Sequence, residues 1–188
     1  MQKGFRNIRK HGKKKQGDAF IMQKEMCSHA IKFVDSPIVF QEIPGEISLC
    51  FTISNCPHHC PGCHSSYLAE DIGEYLDEHI DNFLEKYRDM ITCVLFMGGD
   101  DPAQIDNLIR CLKICKKYNL KTALYSGYTE ETFDKKVLIY LDYLKLGPYI
   151  EERGPLNNPN TNQHLYKIYR GKVADDITYK FWNNKIPL

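Results

Sequence analysis

Three cysteines fall within eight residues in the run Cys56-Pro57-His58-His59-Cys60-Pro61-Gly62-Cys63, where two prolines and a glycine interrupt any regular helix or strand. A loop of this composition is built to hold metal. Three thiolates from one tight loop can ligate three irons of a cubane 4Fe–4S cluster and leave the fourth iron open, whereas an electron-transfer cluster normally takes a fourth cysteine. The competing assignment is structural zinc, with His58, His59 or His64 as a further ligand. Zinc sites, however, usually pair two short ligand-bearing turns, and the next cysteine, Cys93, lies in an apolar run that reads as a buried strand. Cys50, Cys93, Cys111 and Cys115 read as small core hydrophobes.

The remaining composition suits one folded domain. The chain has 188 residues, 43% of them hydrophobic, which is enough to bury a core. It has neither the long apolar run of a membrane span nor an apolar N-terminal segment of the secretory kind, so a cytoplasmic location is expected. In a reducing compartment the eight cysteines are expected to be thiols or metal ligands rather than a disulfide framework. Net charge is +1, but residues 1–15 hold seven Lys or Arg and no acid, leaving 18 basic against 24 acidic residues elsewhere. We read residues 1–30 as a basic, disordered N-terminal extension and residues 31–188 as the folded domain. A start at Met22 or Met26 would equally account for the extension. A basic arm on a zinc-stabilised nucleic-acid-binding module is the non-enzymatic alternative. The basic residues are confined to the tail with little aromatic content, so neither nucleic acid nor a membrane is the expected partner.

From residue 38 onward, strand-like and helix-like runs alternate. Residues 38–43 and 46–53, separated by Pro44-Gly45, predict a hairpin whose second strand leads directly to Cys56. Helical spacing of Leu76, Ile80, Phe83, Leu84 and Tyr87 predicts a helix over residues 74–88, and residues 91–97 follow as a buried strand. A second helix is predicted over 101–118 and a strand over 121–125. Thr129 is placed to cap a third helix running to 139, and residues 143–146 form a fourth strand. Such alternation calls for an α/β fold, a mainly parallel sheet with helices outside. Right-handed crossovers then gather the loops at the strands' C-terminal edge.

One such loop carries a second constellation, Gly98-Gly99-Asp100-Asp101-Pro102. The glycines allow close backbone approach to a ligand. In the plain alternative Asp100 or Asp101 caps the following helix and Pro102 starts it. Tyr125-Ser126-Gly127 ends the next strand, either as polar contacts to a ligand or as an ordinary turn.

The cysteine spacing is similar to that of the radical S-adenosylmethionine superfamily, and the Gly-Gly-Asp element resembles its Gly-Gly-Glu-Pro element with Asp in place of Glu. Within that superfamily the chain resembles the proteins that activate anaerobic ribonucleoside-triphosphate reductases. The likeness rests on Cys60-Pro61-Gly62-Cys63-His64-Ser65, with Gly62 in place of an aromatic, on Phe96 to Asp100 and Lys121 to Gly127, and on Tyr143-Leu144-Lys145-Leu146-Gly147-Pro148-Tyr149. Gly154 to Gln163 and the strand-like Leu165 to Tyr169 extend it, so that it covers roughly residues 36–170.

The resemblance implies a partial (β/α) barrel and a cluster on Cys56, Cys60 and Cys63 whose open iron takes S-adenosylmethionine. Gly98, Gly99, Asp100, Asp101, Ser126 and Gly127 would lie against that cofactor. It further implies an electron from flavodoxin or ferredoxin, cleavage to methionine and a 5′-deoxyadenosyl radical, and a glycyl radical on the large reductase subunit. Residues 149–162 are a candidate docking surface. An activase of another glycyl-radical enzyme, such as pyruvate formate-lyase, is the nearest enzymatic alternative, although the extra cysteine pairs some of them carry are absent between Cys63 and Cys93.

Overall fold

The computed structural model describes residues 30–182. The basic extension and the starts at Met22 and Met26 therefore lie outside the described residues, except for Ala30. In chain order the elements are β1 (Lys32–Asp35), β2 (Ile38–Val39), β3 (Ser48–Ile53), β4 (Glu74–Tyr75), α1 (Leu76–Tyr87), β5 (Cys93–Met97), α2 (Ile105–Lys117), β6 (Lys121–Tyr125), β7 (Tyr143–Leu146), β8 (His164–Tyr169) and β9 (Lys172–Asp176).

Side-chain alternation along the central strands decides the layering. Leu49, Phe51, Val94, Phe96, Leu124 and Leu144 point to one face, where α1 and α2 bring Leu76, Ile80, Leu84, Leu108 and Leu112 against them. Cys50, Cys93, Leu95, Ala123 and Tyr143 point to the other, closed by Ile43, Leu165, Ile177 and Phe181. Both α-helices thus cover the same face. Cys50, Cys93, Cys111 and Cys115 are buried free thiols, as their apolar neighbours in sequence indicate. Burial pushes Cys50, Cys93 and Cys111 up to about 12 and Cys115 well above its ordinary value.

All strands join one sheet in the order β4-β1-β3-β5-β6-β7-β8-β9, with β2 paired to β3. Parallel pairing is confined to β3, β5, β6 and β7. The flanking pairs are antiparallel, so "mainly parallel" holds for the centre of the sheet and not for the whole. The predicted hairpin is present, its first strand reduced to two residues. Tyr125, Met97, Thr52 and Lys145 form the last rung of the parallel ladder, and the chain turns into a loop beyond each.

The helix expected from Thr129 to 139 does not form. Thr129 closes a single turn, accepting from Phe133 N at 2.9 Å. Asp134 then caps a separate short 3-10 turn, Lys135–Tyr140, by accepting from Lys136 N. Phe133 and Val137 alone are fully buried between 129 and 140, with Leu138 and Tyr140 partly so, too little to hold a longer helix on the sheet. Beyond β8, Arg170 and Gly171 both take positive φ in a two-residue turn that brings back the all-exposed edge strand β9. Among the described residues no helix is long and apolar enough to cross a membrane.

Candidate functional site

The cysteine loop leaves the end of β3 through a sharp bend. Asn55 takes φ 61°, and His59 and Gly62 also adopt positive φ, so the loop coils back on itself. Cys56 N donates to Leu68 O at 2.9 Å and Cys63 N to Cys60 O at 3.2 Å, which ties both ends of the motif down. The three thiols are partly buried and free. Burial raises the Cys56 thiol, while the His58 N–H donates to its sulfur and opposes the shift. Glu151, from the loop after β7, packs on the motif: a Cβ on Gly62 would lie 2.8 Å from its Oε2.

Gly98 and Gly99 follow β5 with φ of 97° and 88°, a region where L side chains are strained. A Cβ on Gly98 would meet Ile53 at 3.5 Å and one on Gly99 would meet Ile31 at 3.3 Å, so the glycines serve chain direction and close packing. The two aspartates then part company. Asp101 accepts from Ala103 N at 2.8 Å, and its carbonyl receives Gln104 N and Ile105 N, which makes it the device that starts α2. Asp100 is only 5% exposed, and its Oδ2 has no hydrogen-bond partner. Burial raises its carboxyl above the ordinary value, against a hydrogen bond from the Ser126 hydroxyl.

Ser126 ties the neighbouring strands together. It is buried, its N–H donates to Lys145 O at 2.9 Å, and its Oγ accepts from Tyr128 N at 3.0 Å. Gly127 lies under the imidazole of His58, leaving no room for a Cβ.

Lys145 is a further buried polar residue of this region, one that motif reading left without a role. It sits on the last rung of β7, 7% exposed, with Nζ donating to Gly147 O at 2.8 Å and Ser126 O at 3.4 Å. Burial brings its ammonium down to about 8, opposed by the nearby Cys60, Asp100, Cys63 and Cys56. The signal was available in the sequence: one cation inside the apolar run Tyr143-Leu144-Lys145-Leu146.

All nine predicted site residues therefore lie in the loops beyond the C-terminal ends of β3, β5 and β6, with Lys145 at the end of β7 beside them. Among the described residues, the buried side-chain atoms without a hydrogen-bond partner also gather there. Ser54 Oγ, His58 Nε2, Asp100 Oδ2, Gln104 Oε1 and Asn162 Oδ1 all lie in loops past these strand ends, and Ser48 Oγ is the exception. Such atoms take their missing hydrogen bonds from water, an ion or a bound group. Among the described residues no three Cys, His, Asp or Glu side chains are grouped to hold a metal ion. Three thiols on one loop are the donor set a 4Fe–4S cluster takes, and Cys56, Cys60 and Cys63 supply it.

Residues 44–168 match the family model of a 4Fe-4S single cluster domain, a span covering the cysteine loop and every parallel strand. No curated protein and no solved structure matches the chain.

Proposed function

Because the chain belongs to the 4Fe-4S single cluster domain family, we propose that it is a radical S-adenosylmethionine activase that generates the glycyl radical of an anaerobic (class III) ribonucleoside-triphosphate reductase. The observation that carries this reading is a buried pair of opposite charges, Asp100 and Lys145, beside a three-cysteine loop. The amino-acid end of S-adenosylmethionine is a zwitterion. Asp100 Oδ2, now without a partner, matches its ammonium, and Lys145 matches its carboxylate. Asp101 is occupied in the turn that leads into α2, so Asp100 is the acid assigned to the cofactor.

Cys56, Cys60 and Cys63 would hold the cluster as thiolates. When bound, such a cluster supplies one electron to the sulfonium, giving methionine and a 5′-deoxyadenosyl radical that takes a hydrogen atom from the partner's glycine. Ser126 orients Asp100 through its hydroxyl and braces β6 against β7 through its N–H. The burial of Asp100 and Lys145 keeps water from the methionine end, which strengthens both charge contacts. Helices on only one face of the parallel strands suit a partial barrel, with the face bearing Lys145 as its interior. Residues 149–162, adjoining the cysteine loop through Glu151, are proposed as the docking surface for the large reductase subunit, and flavodoxin or ferredoxin as the electron donor.

The test is anaerobic incubation of the reconstituted, reduced protein with S-adenosylmethionine and the large reductase subunit. Release of 5′-deoxyadenosine and a glycyl radical on the reductase are the expected results. An intact reduced cluster that yields no 5′-deoxyadenosine would overturn the activity. Cleavage without a reductase radical would move the assignment to another glycyl-radical enzyme such as pyruvate formate-lyase.

A further inference from the structure

His58 lies between the first two cysteines of the loop, and nothing in the proposed chemistry uses it. Its backbone N–H donates to Cys56 Sγ, so the residue is fixed to the first thiol through the main chain. Its side chain reaches away from the loop to the turn after β6. An ideal Cβ on Gly127 would lie 2.4 Å from His58 Cδ2, 2.6 Å from Cγ and 2.7 Å from Nε2, which sets the imidazole directly over the Gly127 backbone. The ring then meets Tyr128 edge to face, with centroids 4.6 Å apart. Gly127 is not among the glycines with positive φ, so its lack of a side chain answers to the ring and not to the backbone.

The same turn carries Ser126, which bonds Asp100 and Lys145. Seating His58 here therefore connects two parts of the site: the first thiol of the loop, and the charge pair. The loop itself offers few anchors of its own. Pro57, His59, Pro61 and Gly62 are exposed, and the backbone bonds that hold the motif lie at its ends.

We propose that His58 is a positioning residue whose ring seats the cysteine loop on the Gly127–Tyr128 turn and so fixes Cys56 relative to Asp100 and Lys145. The seat is a packing device. It rests on the reading of the loop as a cluster site, and its link to S-adenosylmethionine rests on the proposed activity.

The experiment uses the full chain, reconstituted anaerobically, with three readouts: a thermal melt, the rate of iron loss to a chelator, and the electron paramagnetic resonance signal of the reduced cluster with and without S-adenosylmethionine. His58→Ala is expected to speed iron loss by about tenfold, the size typical of outer-shell partners of a metal site, and to remove the cofactor-induced change in the signal. Gly127→Ala should do the same, because its methyl group drives the ring from its seat. His58→Phe keeps an aromatic ring without nitrogen and is expected to retain both parental properties, which separates packing from any hydrogen bond through Nε2. The double variant His58→Ala/Gly127→Ala should lose iron no faster than His58→Ala alone, since the two changes remove one contact. Parental iron retention in either alanine variant, a double variant whose factor is the product of the two singles, or a phenylalanine variant as poor as alanine would each overturn the seat. A parental protein that holds its cluster but shows no response to S-adenosylmethionine would sink the proposed activity instead, leaving the iron-loss comparison to judge the seat.

Discussion

Two acids of similar burial lie at opposite ends of the parallel strands and behave in opposite ways. Glu46, 6% exposed, precedes β3 at the N-terminal edge. Burial pushes it up, yet hydrogen bonds from Lys121, Thr92 and Tyr143 together hold it below its ordinary value. The Lys121 ammonium lies 2.5 Å and the Tyr143 hydroxyl 2.7 Å from its Oε1. Asp142, at the same edge, is likewise bonded by Lys116 and by Thr122 N. Asp100, at the C-terminal edge, is 5% exposed and pushed up, with one oxygen unpartnered. Burial alone therefore does not decide how an acid at these edges behaves. Hydrogen bonding distinguishes them: Glu46 and Asp142 are bonded within the protein, whereas Asp100 keeps one buried oxygen without a partner.

The largest expected effect tests whether the C-terminal edge is a metal site at all. Cys60→Ala should reduce iron after anaerobic reconstitution from about four per chain to a small residue and abolish cleavage of S-adenosylmethionine. Cleavage by a variant that has lost that thiol would break the assignment of the loop.

Next in size is the contrast between the two acids in the cluster-free protein. Glu46→Gln should cost about 2–3 kcal/mol at pH 7, because it removes a charge that Lys121 and Tyr143 are arranged around. Asp100→Asn should cost less than about 1 kcal/mol or raise stability, because it removes an incompletely bonded buried charge. Their pH dependences carry opposite signs. A lowered folded value gives Glu46 a contribution present above the ordinary carboxylate range and lost as pH falls through the folded value, so the parent's advantage over Glu46→Gln closes on acidification. A raised folded value makes Asp100's contribution most favourable below the ordinary range and lost as pH rises through the folded value, so the parent gains on Asp100→Asn as pH falls. Denaturant melts across that range check both, and equal losses from the two substitutions would dissolve the comparison.

A smaller effect belongs to Lys145. Its folded value near 8 lies below the ordinary 10.5, so the folded chain binds the proton less tightly than the unfolded one. The handicap of the buried cation is complete below about pH 8 and fades toward 10.5. Lys145→Met in the cluster-free protein should therefore fare best against the parent near neutral pH and lose that relative gain between those values. A gap constant from pH 7 to 10.5 would show that the ammonium is not in a desolvated place.

The smallest effect concerns the missing helix. Thr129→Ala removes the hydroxyl contacts with Thr132 and the Glu131 carboxylate at one exposed turn, and a melt should show a change within about 0.5 kcal/mol. A loss of 1 kcal/mol or more would mean that Thr129 caps something longer than that turn.

These contrasts also explain what could be read in advance. Strands β5, β6 and β7 and the inward faces of α1 and α2 follow from unbroken apolar patterns, and the structure reproduces them almost residue for residue. The cysteine loop and the two glycine-bearing turns were legible because only loops tolerate those residues. The division of labour between Asp100 and Asp101 was not, since adjacent acids in one turn look alike until burial takes one of them. Lys145 was legible only as one cation breaking an apolar run. Strand β9, Lys-Val-Ala-Asp-Asp, has no apolar face to announce it and exists because the Arg170-Gly171 turn returns it to pair with β8. The segment from Thr129 failed in the other direction, because helical spacing of two apolar residues was outweighed by Thr and Asp side chains that bond locally.

The central claim is that Cys56, Cys60 and Cys63 hold a cluster with one iron open to S-adenosylmethionine. Electron paramagnetic resonance of the anaerobically reconstituted, dithionite-reduced protein, recorded before and after adding the cofactor, tests it most directly. The account predicts about four irons per chain and a reduced-cluster signal that changes when S-adenosylmethionine binds. A reduced cluster whose signal ignores the cofactor, or zinc bound in place of iron, would contradict it.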